Sequence, residues 1–201
     1  MISLSLSDFL KSHKEFNLGD LPTEDYHLLS KGLSDYSKND LVTGIKVLKE
    51  IDLDALNYLK TNINKCHNLW QVISKTLEND NKVFLCGCGA TGRLALSIEA
   101  FWKKAFKENN KKREQVVGFM AGGDVALINS IESFEDYPEF GARQLEELGP
   151  DQNDLVIGIT EGGETPFVIG ATEKAALLTK NPPYFIYCNP DEVLKRVAKR
   201  S

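Results

Sequence analysis

The sequence predicts an α/β fold, a parallel sheet covered by helices on both sides and preceded by a helical segment, on three observations. The first 80 residues hold apolar positions at helical spacing and no convincing strand, whereas from Lys82 onward short apolar runs alternate with helical patterns. Those runs are too continuously apolar to leave a wet face, which is the composition of strands buried on both sides. Two glycine-rich stretches each follow such a run and open a helical pattern, as the loops of parallel sheets do.

In the N-terminal segment Leu41, Ile45 and Leu48, then Leu56, Leu59 and Ile63, then Leu69, Val72, Ile73 and Leu77 recur every three or four residues, each set marking a helical face. Pro22 and the polar stretch 34–39 are expected to separate helices, and Asp52 or Asp54 to cap the one carrying Leu56, Leu59 and Ile63. Strands are expected at 83–86, 116–120, 155–160 and 184–188, which are apolar and rich in β-branched or aromatic residues. Helical patterns follow at 91–107, 125–134, 140–148, 165–179 and 191–199. Residues 1–80 are thus assigned to the helical segment and 81–201 to the sheet domain, with Trp70 and Trp102 expected to pack one against the other. Only four strands are accounted for when the sequence ends at Ser201, just after a helix, so the domain is expected to continue in a longer protein.

Composition narrows the function classes. A net charge of -5 and a single basic concentration, Lys103-Lys104 with Lys111-Lys112-Arg113, argue against a nucleic-acid surface, which needs clustered Lys and Arg to neutralise phosphates. No apolar run approaches the roughly 18 residues of a bilayer span, and residues 1–10 lack the basic start and cleavage site of a signal peptide, so the cytoplasm is the expected compartment. Cys66, Cys86, Cys88 and Cys188 form no C-x-x-C pair, and His13, His27 and His67 show no ligand spacing. No metal and no cofactor is expected.

Chemistry concentrates in the glycine-rich stretches. Lys82-Val-Phe-Leu-Cys-Gly-Cys-Gly-Ala-Thr-Gly-Arg93 reads strand, turn, helix start, and Gly87, Gly89 and Gly92 spell G-x-G-x-x-G. Such a turn could hold a dinucleotide, cradle another phosphate at the helix N-terminus, or merely permit tight packing. The dinucleotide reading wants an acidic residue closing the second strand; here Met120-Ala-Gly-Gly precedes Asp124, which arrives late. A second stretch, Ile157-Gly-Ile-Thr-Glu-Gly-Gly-Glu-Thr-Pro-Phe167, has the same construction, with Thr165 and Pro166 as sound helix-start residues in their own right. Two such turns, with Thr91, Thr160 and Thr165 as hydroxyl donors, could surround one phosphate, and a dinucleotide fold has no need of the second.

Here the sequence resembles the SIS (sugar isomerase) domain, a doubly wound fold that binds phosphorylated sugars. Thr160-Glu-Gly-Gly-Glu-Thr165 resembles that family's S-x-S-G-E-T phosphate loop, with Gly162 in place of the second serine. Within the family the sequence is similar to N-acetylmuramic acid 6-phosphate etherases and the glucokinase regulatory protein, through Gly87-Cys-Gly-Ala-Thr-Gly-Arg-Leu94, Ala121-Gly-Gly-Asp124 with the segment 130–136, residues 158–168, and Cys188-Asn-Pro190. The Cys86-Gly-Cys-Gly start and the long segment 101–115 look more like the regulatory protein.

The resemblance implies a ligand site of Gly89, Ala90, Thr91 and Gly92 from the first turn, Thr160, Glu161, Gly162, Gly163, Glu164 and Thr165 from the second, and Asn189 near the sugar. Read on their own residues, Thr91 and Thr165 could equally be helix caps and Asn189 a turn residue before Pro190. An etherase works with two glutamates as acid and base. Glu135 matches one, with Glu132 its neighbour; the place of the other is Phe101, and Glu99 lies about 200° around a helix from it. The resemblance therefore implies binding of a phosphorylated sugar in a binding or regulatory role; the alternative is a lyase or isomerase on an amino-sugar 6-phosphate with Glu135 as base. Implied partners are a second copy of the chain or a second SIS domain, and a protein docking on the helical segment.

Overall fold

The computed structural model describes residues 21–129, 131 and 133–194. Four strands, β1 (Val83–Gly87), β2 (Val116–Met120), β3 (Leu155–Ile159) and β4 (Tyr184–Ile186), form one parallel sheet in the order β2-β1-β3-β4. Val83 pairs with both Val116 and Leu155, and Ile159 with Ile186, so the strands end near one level. The chain leaves β1 for β2 on one side and returns to β3 on the other, and the strand order reverses between β1 and β3. Parallel α/β sheets gather ligands at such a point.

Alternation along the strands builds two cores. Phe84, Cys86, Phe119 and Val156 meet Leu145 of α6 (Pro138–Leu148) and Phe167, Val168, Ala171 and Ala175 of α7 (Pro166–Leu178). On the other face, Val83, Leu85, Val116, Leu155 and Ile157 meet Ala95 of α4 (Gly89–Ala105), with Leu69, Val72, Ile73 and Leu77 of α3 (His67–Glu78) packed against them. With helices on both faces, neither side of the sheet could tolerate polar alternation, and the strand sequences show none. On the first face α6 and α7 also touch each other at backbone distance. A Cβ on Gly141 would collide with the Phe167 carbonyl oxygen, and one on Gly170 with that of Pro138.

Several expectations are corrected here. The stretch 34–39 does not separate helices but forms most of α1 (Leu33–Asn39), with α2 (Leu41–Asn62) starting two residues after it ends. Neither Asp52 nor Asp54 caps anything: both lie inside α2, a single 22-residue helix capped by Asp40, whose carboxylate accepts from Thr43 N at 3.1 Å. No proline or strong turn signal interrupts residues 41–62, so the helix propagates through both aspartates. The expected helix at 125–134 is replaced by two 3₁₀ turns, Gly123–Leu127 and Phe134–Asp136. Gly122 and Gly123 (φ 79° and 59°) and Ser133 (φ 68°) put the chain through left-handed conformations that a helix does not continue. Asp191–Val193 is also a 3₁₀ turn, and residues 195–199 of the helix expected there lie outside the described residues, as do His13, Ser130 and Glu132. Trp102 packs at the sheet core beside α3 and donates from Nε1 to the Lys112 carbonyl at 2.6 Å, in α5 (Asn110–Arg113); Trp70 is instead 46% exposed.

Candidate functional site

Both glycine turns open at the reversal between β1 and β3, and a cleft of about 480 Å³ lies between them. Of the residues expected from sequence, Gly89, Ala90, Thr91, Thr160, Glu161, Gly162, Glu164, Thr165 and Glu135 line it. Gly92, Gly163 and Asn189 stand behind its wall, and Leu21, Thr23, Glu24, Cys88, Asp136 and Pro166 complete the lining.

The first turn is built for close approach. A Cβ on Gly87 would stand 2.5 Å from Gly92 N, and one on Gly92 2.5 Å from Met120 Cβ, so the two outer glycines let α4 start directly over β1. Gly89, the middle one, turns the chain at φ 51°. Thr91 closes the turn on itself: its hydroxyl accepts from Cys88 N at 3.1 Å and donates to the Cys88 carbonyl at 2.9 Å.

In the second turn the Thr160 and Thr165 hydroxyls bond each other at 2.9 Å, and Thr160 also accepts from Gly163 N at 3.3 Å. Thr160 is 4% exposed and forms the floor. Thr165 is the N-cap residue of α7, with Pro166 at the first helical position, yet its side chain caps no N–H of the helix. The Thr165 side chain therefore leaves the orphan donors of the first turn of α7 uncapped.

Asn189, 6% exposed, is a bridge. Its Nδ2 donates to the Gly162 carbonyl and to Thr23 Oγ1, both at 2.8 Å, and its Oδ1 accepts from Thr23 N at 3.2 Å. Residues 21–24 are thereby held across the second turn. Across the cleft, Glu135 is presented by the turn Phe134–Asp136 and accepts from the Cys88 thiol at 3.0 Å. Burial, then the hydrogen bond and charge of Glu135, push that thiol up to about 12, which keeps it a protonated donor rather than a nucleophile.

The electrostatics come from dipoles and not from cations. Five carboxylates, those of Glu24, Glu135, Asp136, Glu161 and Glu164, line the cleft, and among the described residues no lysine or arginine does. An anion here would rest on the helix N-termini and hydroxyls. The second acid/base place is not filled: Phe101 is 72% exposed on α4 and stands outside the cleft lining. Glu99 does not replace it, because its Oε2 accepts from Gly118 N in β2 at 2.9 Å and its Oε1 from Lys103 Nζ at 2.6 Å.

Sequence reasoning missed the contribution of residues 21–24, which no local pattern signals, and of Cys88, which stands in the first glycine turn without a motif that marks it.

This is a doubly wound α/β domain with its cleft at the strand-order reversal. The same fold is seen in phosphoheptose isomerase from Neisseria gonorrhoeae, which is 17% identical and matches 73% of each chain with a TM-score of 0.55. Residues 65–176 match the family described as the glucokinase regulatory protein N-terminal SIS domain, and the chain belongs to it. It is also similar to N-acetylmuramic acid 6-phosphate etherase 1 of Bacillus licheniformis, 29% identical over 92% of this chain and 59% of the relative. With the N-acetylmuramic acid 6-phosphate etherase of Salinibacter ruber the identity is 36% over 62% of this chain and 39% of the relative. The chain thus spans about half the length of the curated relatives it matches.

Proposed function

We propose that this domain binds a phosphorylated sugar, an amino-sugar 6-phosphate being the class favoured by its relatives, in a binding or regulatory role rather than as an etherase. The observation that carries the reading is the meeting of two glycine turns at the N-termini of α4 and α7 in one cleft. The phosphate would lie between Gly89, Ala90 and Thr91 on one side and Thr160 and Thr165 on the other, with Gly92, Gly163 and Asn189 shaping the two turns. Glu161, Gly162 and Glu164 would border the sugar. Isothermal titration with glucose 6-phosphate and with N-acetylmuramic acid 6-phosphate is expected to give saturable heat; no heat and no thermal shift at millimolar ligand overturns the reading.

A second reading, a lyase acting on N-acetylmuramic acid 6-phosphate, is favoured by Glu135 standing in the same cleft and by the names of the relatives. Loss of one of two proton-transfer partners typically costs on the order of 10² to 10⁴ in rate. With Phe101 outside the cleft and Glu99 engaged elsewhere, the expected lactate release is at or near background. Release that vanishes in Glu135→Gln would reverse the order of the two readings.

The exposed apolar face of α2, with Leu41, Ile45, Leu48, Leu56 and Leu59, suits a partner surface, and a second copy of the chain or a second SIS domain is the proposed occupant. Among the described residues no helix is long and apolar enough to cross a membrane. The four cysteines are unpaired, which suits the proposed cytoplasmic setting.

A further inference from the structure

The cleft is poor in side-chain donors. The Thr91 hydroxyl hydrogen is committed to the Cys88 carbonyl, and the Thr160–Thr165 bond uses one of the two hydrogens on that pair. No cation supplements them among the described lining residues. One hydroxyl hydrogen therefore remains from the three threonines assigned to the turns.

Thr23 supplies another. It lines the same cleft, and its Oγ1 accepts from Asn189 Nδ2 at 2.8 Å, so the lone pair toward Asn189 is occupied while the hydroxyl hydrogen is left to donate. Its backbone N–H is fixed on Asn189 Oδ1, and Asn189 is fixed on the Gly162 carbonyl; the hydroxyl is thus registered to the second turn by three hydrogen bonds. It also stands where that turn has no side chain of its own. A Cβ built on Gly162 would be 3.8 Å from Thr23 Oγ1 and 3.4 Å from Leu21 Cδ1, ordinary contact distances that leave room for a small side chain.

We propose that Thr23 is a ligand-binding residue whose hydroxyl, held by Asn189 beside Gly162, donates to the phosphate at the second glycine turn. The inference rests on the phosphate reading of the cleft given above, and it gives Asn189 the part of a positioning residue. A hydroxyl that a loop serine could provide locally comes from a segment 139 residues earlier in the chain, the separation of Thr23 from Gly162.

The full chain is titrated with inorganic phosphate and with glucose 6-phosphate. Thr23→Val is expected to weaken both by the same factor, about tenfold, the scale of one hydrogen bond to a charged acceptor. Thr23→Ser is expected to bind like the wild type. Gly162→Ser added to Thr23→Val is expected to recover most of the loss by returning a hydroxyl to the same place. Thr23→Ala takes the place of Val if the latter does not fold. Unchanged affinity on deletion, a loss confined to the sugar ester, or a loss that Gly162→Ser does not recover overturns the proposal; the last outcome would leave Thr23 an anchor for Asn189 only. A wild-type protein that binds neither probe overturns the phosphate reading itself, a result distinct from wild-type binding that Thr23→Val leaves intact.

Discussion

The contact between Cys88 and Glu135 fixes how each side chain behaves. The carboxylate accepts from the thiol through Oε2, so the contact orients that oxygen. Because burial and Glu135 push the thiol up to about 12 from its ordinary 9.0, the folded state is favoured while the thiol stays protonated. That contribution is complete below about pH 9 and is lost as pH rises toward about 12. Alkylation of Cys88 by iodoacetamide, followed by mass spectrometry against pH, is expected to stay slow through pH 9. In Glu135→Gln the midpoint should fall but remain above 9.0, since burial, the larger cause, persists; an unmoved midpoint would mean the contact does not exist in solution. The residues of the two turns were legible because glycine and threonine have few reasons to cluster between an apolar strand and a helix. The thiol contact was not, because it joins residues 47 apart whose types suggest no pairing.

Elements were legible where one force dominates. Runs such as Val83 to Cys86 or Val116 to Met120 are apolar on both sides, and burial on two faces admits no other element of that length. Where competing signals met, reading failed: Asp52 and Asp54 are good caps, yet caps matter only where a helix must begin, and Asp40 already begins it. At 125–134 the apolar spacing of Val125 and Ile128 is real, but Gly122, Gly123 and Ser133 decide the backbone before side chains can pack. The helix pair α6 and α7 shows a constraint of a third kind, since Gly141 and Gly170 are placed by contact with the other helix and not by their own. Gly141→Ala must push the Phe167 backbone away, and α7 carries Thr165 at its start. Urea unfolding is expected to register a loss of about 3 kcal/mol, with weaker phosphate binding in the same variant because the N-terminus of α7 moves. A loss below about 1 kcal/mol would show that the pair can slide apart cheaply.

At the scale of the whole molecule, charge and exposed apolar surface set two further expectations. On the proposed reading, a phosphate among five carboxylates, with no lysine or arginine lining the cleft among the described residues, would be repelled by its surroundings at long range and held by dipoles at short range. Added salt screens the first more than the second, which acts at contact distance, so affinity for inorganic phosphate is expected to hold or rise with ionic strength; a steep fall would reveal a lysine or arginine at the site. If the α2 face pairs two copies, sedimentation should give a dimer that Leu56→Glu with Leu59→Glu returns to monomer, and a monomeric wild type would end that proposal. The chain's global connection from Thr23 to Asn189, and with it one wall of the cleft, lay beyond any sequence pattern because nothing local marks a contact 166 residues apart. One more property follows from Glu99, whose carboxylate lies on the Gly118 N–H of β2, the strand at the margin of the sheet. An open backbone donor in a marginal strand is what a foreign strand recruits when proteins add to one another edge to edge. Glu99, with Lys103 beside it, occupies that donor and sets charge along the border, so its substitution by alanine should be felt first as precipitation on storage, long before any change in what the cleft holds.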